Sequence, residues 1–130
     1  MSRRSSLAAA LLIAALPLVG AAASPLAGTW RSDGSDQAVE ITFSADGAFA
    51  RRDVDAAGAA MTVSGHWAVL GTGPWLRLSI DGWAPRRACG WLGCTDIRML
   101  SGETYRYRLT EDGTLVLEDA GGPIALRRAG

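Results

Sequence analysis

The chain has 130 residues, 48% of them apolar, and its 13 basic and 13 acidic side chains give a formal net charge of zero. That length fits one domain with a core of its own. A neutral chain offers no electrostatic attraction to nucleic acid or to anionic lipid.

The first segment reads as an export signal. Met1-Ser-Arg-Arg is a short basic start, Leu7 to Gly20 is an apolar run of 14 residues, and Ala21-Ala22-Ala23 supplies the small residues a signal peptidase reads. A membrane-spanning helix needs about 20 apolar residues, so the run is expected to be cleaved after Ala23 and no span is expected in the mature form. "SRRSSL" (Ser2 to Leu7) partly matches a twin-arginine motif, but Ser6 stands where that motif has a bulky apolar residue. The general secretory route is therefore expected, with a periplasmic or secreted product. The mature domain, 24–130, loses Arg3 and Arg4, leaving 11 basic against 13 acidic residues and a net charge of −2.

From Ser24 onward, alternation replaces any helical period. Val39, Ile41 and Phe43 alternate with polar residues, as do Met61, Val63, Gly65, Trp67 and Val69. The pattern returns in Leu76, Leu78 and Ile80, in Tyr105, Tyr107 and Leu109, in Leu115 and Leu117, and in Ile124 and Leu126. One buried face and one wet face is the mark of antiparallel strands. "SADGAF" (Ser44 to Phe49) and "TEDGTL" (Thr110 to Leu115) each place Asp-Gly between alternating runs, a hairpin signal. The expected strands are 26–32, 37–44, 48–54, 60–70, 75–81, 104–110, 114–119 and 123–128, with 96–100 as a weaker ninth. A meander this long hides its edges by closing, and antiparallel closure needs an even count. The expected fold is therefore all-β, an antiparallel up-and-down barrel of eight strands.

"LAGTW" (Leu26 to Trp30), opening the first strand, resembles the start of the lipocalin-like, or calycin, barrels. In that group a Gly-x-Trp tryptophan packs across the closed end and an arginine of the last strand lies over it. The resemblance implies those roles for Gly28, Trp30 and Arg128, the last in "IALRRAG". "GHWAV" (Gly65 to Val69) is similar to a mid-chain Gly-x-Trp of small bacterial members. The resemblance spans 24–130 and implies a non-catalytic binder of a small apolar or amphipathic ligand. Avidins share the Gly-Thr-Trp start, but their set of biotin-contacting polar residues has no counterpart here. Secreted metalloprotease inhibitors share a similar barrel but use a longer N-terminal arm than Ser24, Pro25 and Leu26.

Alternation places Phe43, Arg51, Trp67, Tyr105 and Tyr107 on the inner face, as candidate ligand contacts. Arg51 near the mouth could meet an anionic head group, pair with an internal acid, or lie at a strand end. "DGWAPRRACGWLGCT" (Asp81 to Thr95) is the longest stretch without a strand pattern, and long loops in compact domains tend to be functional. It carries Trp83, Arg86, Arg87 and Trp91, residue types favoured at binding hot spots. Two readings stand: a lid of Trp83 and Trp91 folded over the barrel, or a recognition surface for a protein partner, including an enzyme to be inhibited. The stretch is expected at the open end, with the loops around Asp33, Asp55 and Asp112.

Cys89 and Cys94 are the only cysteines and His66 the only histidine. A structural zinc site needs four ligands, and a redox pair is typically Cys-x-x-Cys before a helix. In an oxidising compartment a disulfide is expected, closing a six-residue loop worth about 2 kcal/mol on the loop-entropy account. No catalytic set is visible. His66 is expected to face outward, and the aspartates sit mostly in turns, where backbone bonding explains them. No metal or cofactor is expected, and no nucleic acid partner.

Overall fold

The computed structural model describes residues 24–32 and 37–129. The expected export signal, 1–23, and the loop around Asp33 lie outside the described residues. Ten strands follow in order: β1 Gly28–Ser32, β2 Gln37–Phe43, β3 Ala48–Asp55, β4 Ala60–Leu70, β5 Trp75–Ala84, β6 Arg87–Gly90, β7 Gly93–Asp96, β8 Gly102–Leu109, β9 Thr114–Asp119 and β10 Gly122–Arg128. Eight of them close a barrel in the order β1-β10-β9-β8-β5-β4-β3-β2, and β6 and β7 form a separate two-stranded hairpin. The seam is antiparallel, with Trp30 opposite Arg128. An even number of alternating strands allows this and leaves no edge unpaired.

Seven of the barrel strands bury residues that their alternation marked; β4 contributes only partly buried side chains such as Val63 and Trp67, and Val69 and Leu109, near the sealed end, are exposed. Trp30, Val39, Ile41, Phe43, Phe49, Leu76, Leu78, Tyr105, Leu115, Leu117 and Leu126 form the core with Leu26 from the N-terminal segment. The Asp-Gly turns work as local chemistry requires: Asp46 accepts the Ala48 amide and Asp112 the Thr114 amide. The Thr110 hydroxyl and then Thr114 hold the Asp112 carboxyl below the usual carboxylate range.

One end is sealed. The Trp30 indole N–H donates to the Leu26 carbonyl at 2.9 Å, and the Arg128 guanidinium lies 4.3 Å from the indole centre. Arg128 also donates to the Ala27 and Pro25 carbonyls, both at 2.8 Å. It thereby pins the N-terminal segment across the barrel base. Gly28 has a φ of 129°, and a Cβ there would stand 2.5 Å from the Arg128 Nη1. The Gly-x-Trp start is thus the footprint of one packing unit. In "GHWAV" the glycine has a different reason. The β4–β5 register shifts between Ser64 and Gly65, and a Cβ on Gly65 would sit 1.8 Å from the Ser79 carbonyl oxygen.

Two expectations about the long stretch are corrected. Asp81 to Thr95 is not irregular. β5 runs on to Ala84, and Arg87–Gly90 pairs with Gly93–Asp96 as a hairpin arm. Gly-Trp-Leu-Gly makes its turn, which carries none of the Asn-Gly or Asp-Gly chemistry that announces hairpins. Only Asp96 of the weaker ninth candidate is strand. The turn around Asp112 is at the sealed end, because β8 descends from the open end to Leu109; the open end instead has the turns after Asp55 and Asp119 and the arm.

Candidate functional site

The sealed half of the lumen is solid and the open half is hollow. Phe43 and Trp67 pack with ring centroids 5.3 Å apart near the sealed end, and the Trp67 indole donates to the Ser44 carbonyl. Tyr107 packs partly buried against the same core. These three candidate ligand contacts are core residues, and none of them lines the open cavity. Above them lies a cavity of about 270 Å³, lined by Phe49, Arg51, Asp53, Met61, Val63, Leu78, Ile80, Met99, Glu103, Tyr105 and Asp119. That is just under the usual 300–1,000 Å³ for small-molecule sites. A second groove, of about 250 Å³, is lined by Pro74, Arg106, Tyr107, Arg108, Val116 and Glu118.

The structure brings Arg51 and Tyr105 together across the lumen. They belong to β3 and β8, which β4 and β5 separate in the wall. Their hydrogen bond, Arg51 Nη1 to the Tyr105 hydroxyl at 3.3 Å, therefore spans the interior. Arg51 also grips Asp53 with two bonds, Nε to Oδ1 at 2.7 Å and Nη2 to Oδ2 at 2.9 Å. The two residues are two apart on one strand and so share a face. The Tyr105 hydroxyl in turn donates to Glu103 Oε2, again two residues away on one strand. Asp53–Arg51–Tyr105–Glu103 is thus a continuous polar girdle around the lumen, with Asp119 lining the same opening.

Electrostatics set the protonation of Arg51 and Tyr105. Burial works against the Arg51 charge, but the hydrogen bond and charge of Asp53, with help from Tyr105, outweigh it and hold the guanidinium above its ordinary value. Tyr105, 5% exposed, is pushed up to about 12, first by burial and then by its bond to Glu103 and that carboxylate's charge, with Arg51 pulling the other way. The phenol therefore stays neutral at physiological pH, a donor to Glu103 and an acceptor from Arg51.

Of the three fates open to Arg51, pairing with an internal acid is the one observed. Asp53, grouped with the turn aspartates, is instead an inward lumen residue. Its alternation with Phe49 and Arg51 carried that signal, as the step from Tyr105 back to Glu103 did for Glu103. Met99 follows the arm and lies outside any strand period, so nothing in the pattern marks it.

The arm residues separate. Trp83 sits half-buried at the arm's base, its indole N–H donating to the Ile97 carbonyl at 3.0 Å and its ring covered by Arg86 at 3.8 Å. Arg87 reaches Asp96 across the hairpin at 3.4 Å. Cys89 and Cys94 form the expected disulfide, one pair below the closing Gly90–Gly93 pair, with Cα atoms 4.0 Å apart. Trp91 does not fold down as a lid. It is 92% exposed at the tip, beside Leu92 at 84%. Every residue of β6 and β7 is exposed, so the arm stands clear of the barrel. His66 faces outward, its Nδ1 2.9 Å from Asp81 on the neighbouring strand. Among the described residues, no group of three His, Cys, Asp or Glu side chains could hold a metal ion. Among them, too, no helix is long and apolar enough to cross a membrane.

A closed eight-stranded antiparallel barrel, sealed by a Gly-x-Trp tryptophan under a terminal arginine and hollow at the other end, is a lipocalin-like fold. The solved structure of a lipocalin-like protein from Bacteroides uniformis is similar to it, with a TM-score of 0.54 at 16% identity, covering 82% of this chain and 100% of that one. No family model and no curated protein matches the sequence.

Proposed function

We propose that the protein is an exported, non-catalytic binder of one small apolar or amphipathic molecule, held in the open half of the barrel. The observation that carries this reading is the cavity of about 270 Å³ at the open end, where Phe49, Met61, Val63, Leu78, Ile80 and Met99 line the space beside the Arg51–Tyr105 girdle. The solid lower half supplies the rigid floor, and the volume, equal to roughly nine waters at about 30 Å³ each, sets the ligand as a small molecule or the tail of a larger one. Export to the periplasm or beyond is part of the proposal, supported by the basic, apolar and small-residue segments of 1–23 and by the Cys89–Cys94 disulfide. The test is a fluorescence titration with 1-aminoanthracene. Saturable one-to-one binding is expected in the wild type and its loss in Val63→Trp, which fills the lumen. Absence of saturable binding, or equal binding by both proteins, overturns the reading.

A second reading has its own observation. Trp91 and Leu92 occupy the tip of a stapled arm, where hairpins ordinarily carry polar residues. On this reading the arm presents a hot spot to a protein partner at the open end, as an enzyme inhibitor would. Trp91→Ala should then abolish capture of one defined partner while the melting temperature stays unchanged.

A further inference from the structure

We infer that the molecule held in the lumen carries a cationic nitrogen, as a protonated alkylamine does, on its polar end. This rests on the lumen being the binding site and adds the charge class of what it binds.

The argument begins with Arg51, the single basic side chain among the described residues lining the cavity. Its guanidinium is committed to both carboxylate oxygens of Asp53 and to the Tyr105 hydroxyl. A bidentate pair of this kind uses the planar fork of the arginine and largely cancels its charge. An anionic head group entering here would have to displace Asp53, which its own strand holds in place two residues away. Two further carboxylates line the same cavity, Glu103 and Asp119. Glu103 accepts from the neutral Tyr105 hydroxyl, and Asp119 Oδ1 accepts the Gly121 amide. Among the described residues neither has a cation within 4.0 Å. Among the described residues the formal charge of the lining is therefore one positive against three negative. Low-dielectric walls of Met61, Val63, Ile80 and Met99 concentrate that field in the opening. A carboxylate ligand would meet like charge in a partly desolvated space. An ammonium would find two acceptors without a counterion, and its alkyl part would lie against the methionines, which adapt to irregular shapes.

The experiment displaces bound 1-aminoanthracene with three probes of one tail length: octylamine, 1-octanol and octanoate. At pH 7 and low salt, octylamine is expected to bind about tenfold more tightly than octanol, and octanoate more weakly than both. Glu103→Gln and Asp119→Asn should each reduce the ratio of octylamine to octanol affinity several-fold. Added salt should shrink the same advantage. Equal affinity for all three probes, or a preference for octanoate, overturns the charge assignment and leaves the lumen as the binding site. An octylamine preference that survives both substitutions also overturns it, since the cation would then bind elsewhere. Displacement by none of the three overturns the amine assignment, and absence of saturable 1-aminoanthracene binding overturns the binding reading itself.

Discussion

The girdle across the lumen makes a pH signature that one tyrosine controls. An ordinary tyrosine ionises near pH 10, and Tyr105 does so at about 12 in the folded protein. Between those values the unfolded chain gives up this proton and the folded chain keeps it. Folding therefore loses stability as pH rises above about 10, and the contribution is whole below that. From pH 8 to 11.5 the loss from this group alone is about 2 kcal/mol, at about 1.4 kcal/mol per pH unit once the unfolded phenol is ionised. Tyr105→Phe removes the effect along with the hydroxyl that bridges Arg51 and Glu103. At pH 8 that removal should cost about 1–2 kcal/mol, because a lost hydrogen bond leaves two charged partners only half-buried. The stability gap between wild type and Tyr105→Phe should thus close, and even reverse, by pH 11.5. Urea unfolding followed by tryptophan fluorescence at pH 8, 10, 11 and 11.5 measures the gap directly. An absorbance titration of the two tyrosines should show the high-pH step missing from the variant. A gap that stays constant with pH would refute the buried, Glu103-bonded phenol.

Other positions are as specific. Arg128→Gln should lower stability by about 2 kcal/mol, from two lost carbonyl bonds and the cation–π contact with Trp30, and Arg128→Lys should recover only part because it lacks the planar fork; thermal melts decide both. Gly65→Ala should cost about 3 kcal/mol or more, since the new methyl meets the Ser79 backbone and not a movable side chain; chemical denaturation checks it. Cys89→Ser with Cys94→Ser should leave the barrel's melting temperature nearly unchanged, because β6 and β7 share no ladder with it. Faster hydrogen exchange should then be confined to the arm, and a barrel that melts many degrees lower would contradict the separation. The roughly 2 kcal/mol of loop entropy acts on the arm's order and not on the barrel.

The barrel was legible because period-two alternation states both the strand and its face, and eight such runs admit few arrangements. Trp30 and Arg128 could be paired from the sequence since an even meander brings the last strand beside the first. The arm was hidden because a strand exposed on both faces has no alternation to read, and its turn residues are apolar. Register explains the rest of the gap. Inward parity was read for Arg51 and Tyr105, but their meeting across the lumen depends on how far β3 and β8 are staggered, which no single strand records. For Trp67 and Tyr107, parity gave the face correctly and left the level open. Both lie too near the sealed end to line the cavity. Asp53 and Glu103 had the right parity as well, yet acids near strand ends read first as turn or surface residues.

The most direct measurement is a native mass spectrum of the protein, purified without reductant from its own host, beside the Val63→Trp variant prepared in the same way. The account predicts one small extra mass in stoichiometric amount on the wild type, released on denaturation and absent from Val63→Trp. A wild-type chain at its bare mass, or the same adduct on both proteins, would contradict a ligand held in the open half of the barrel.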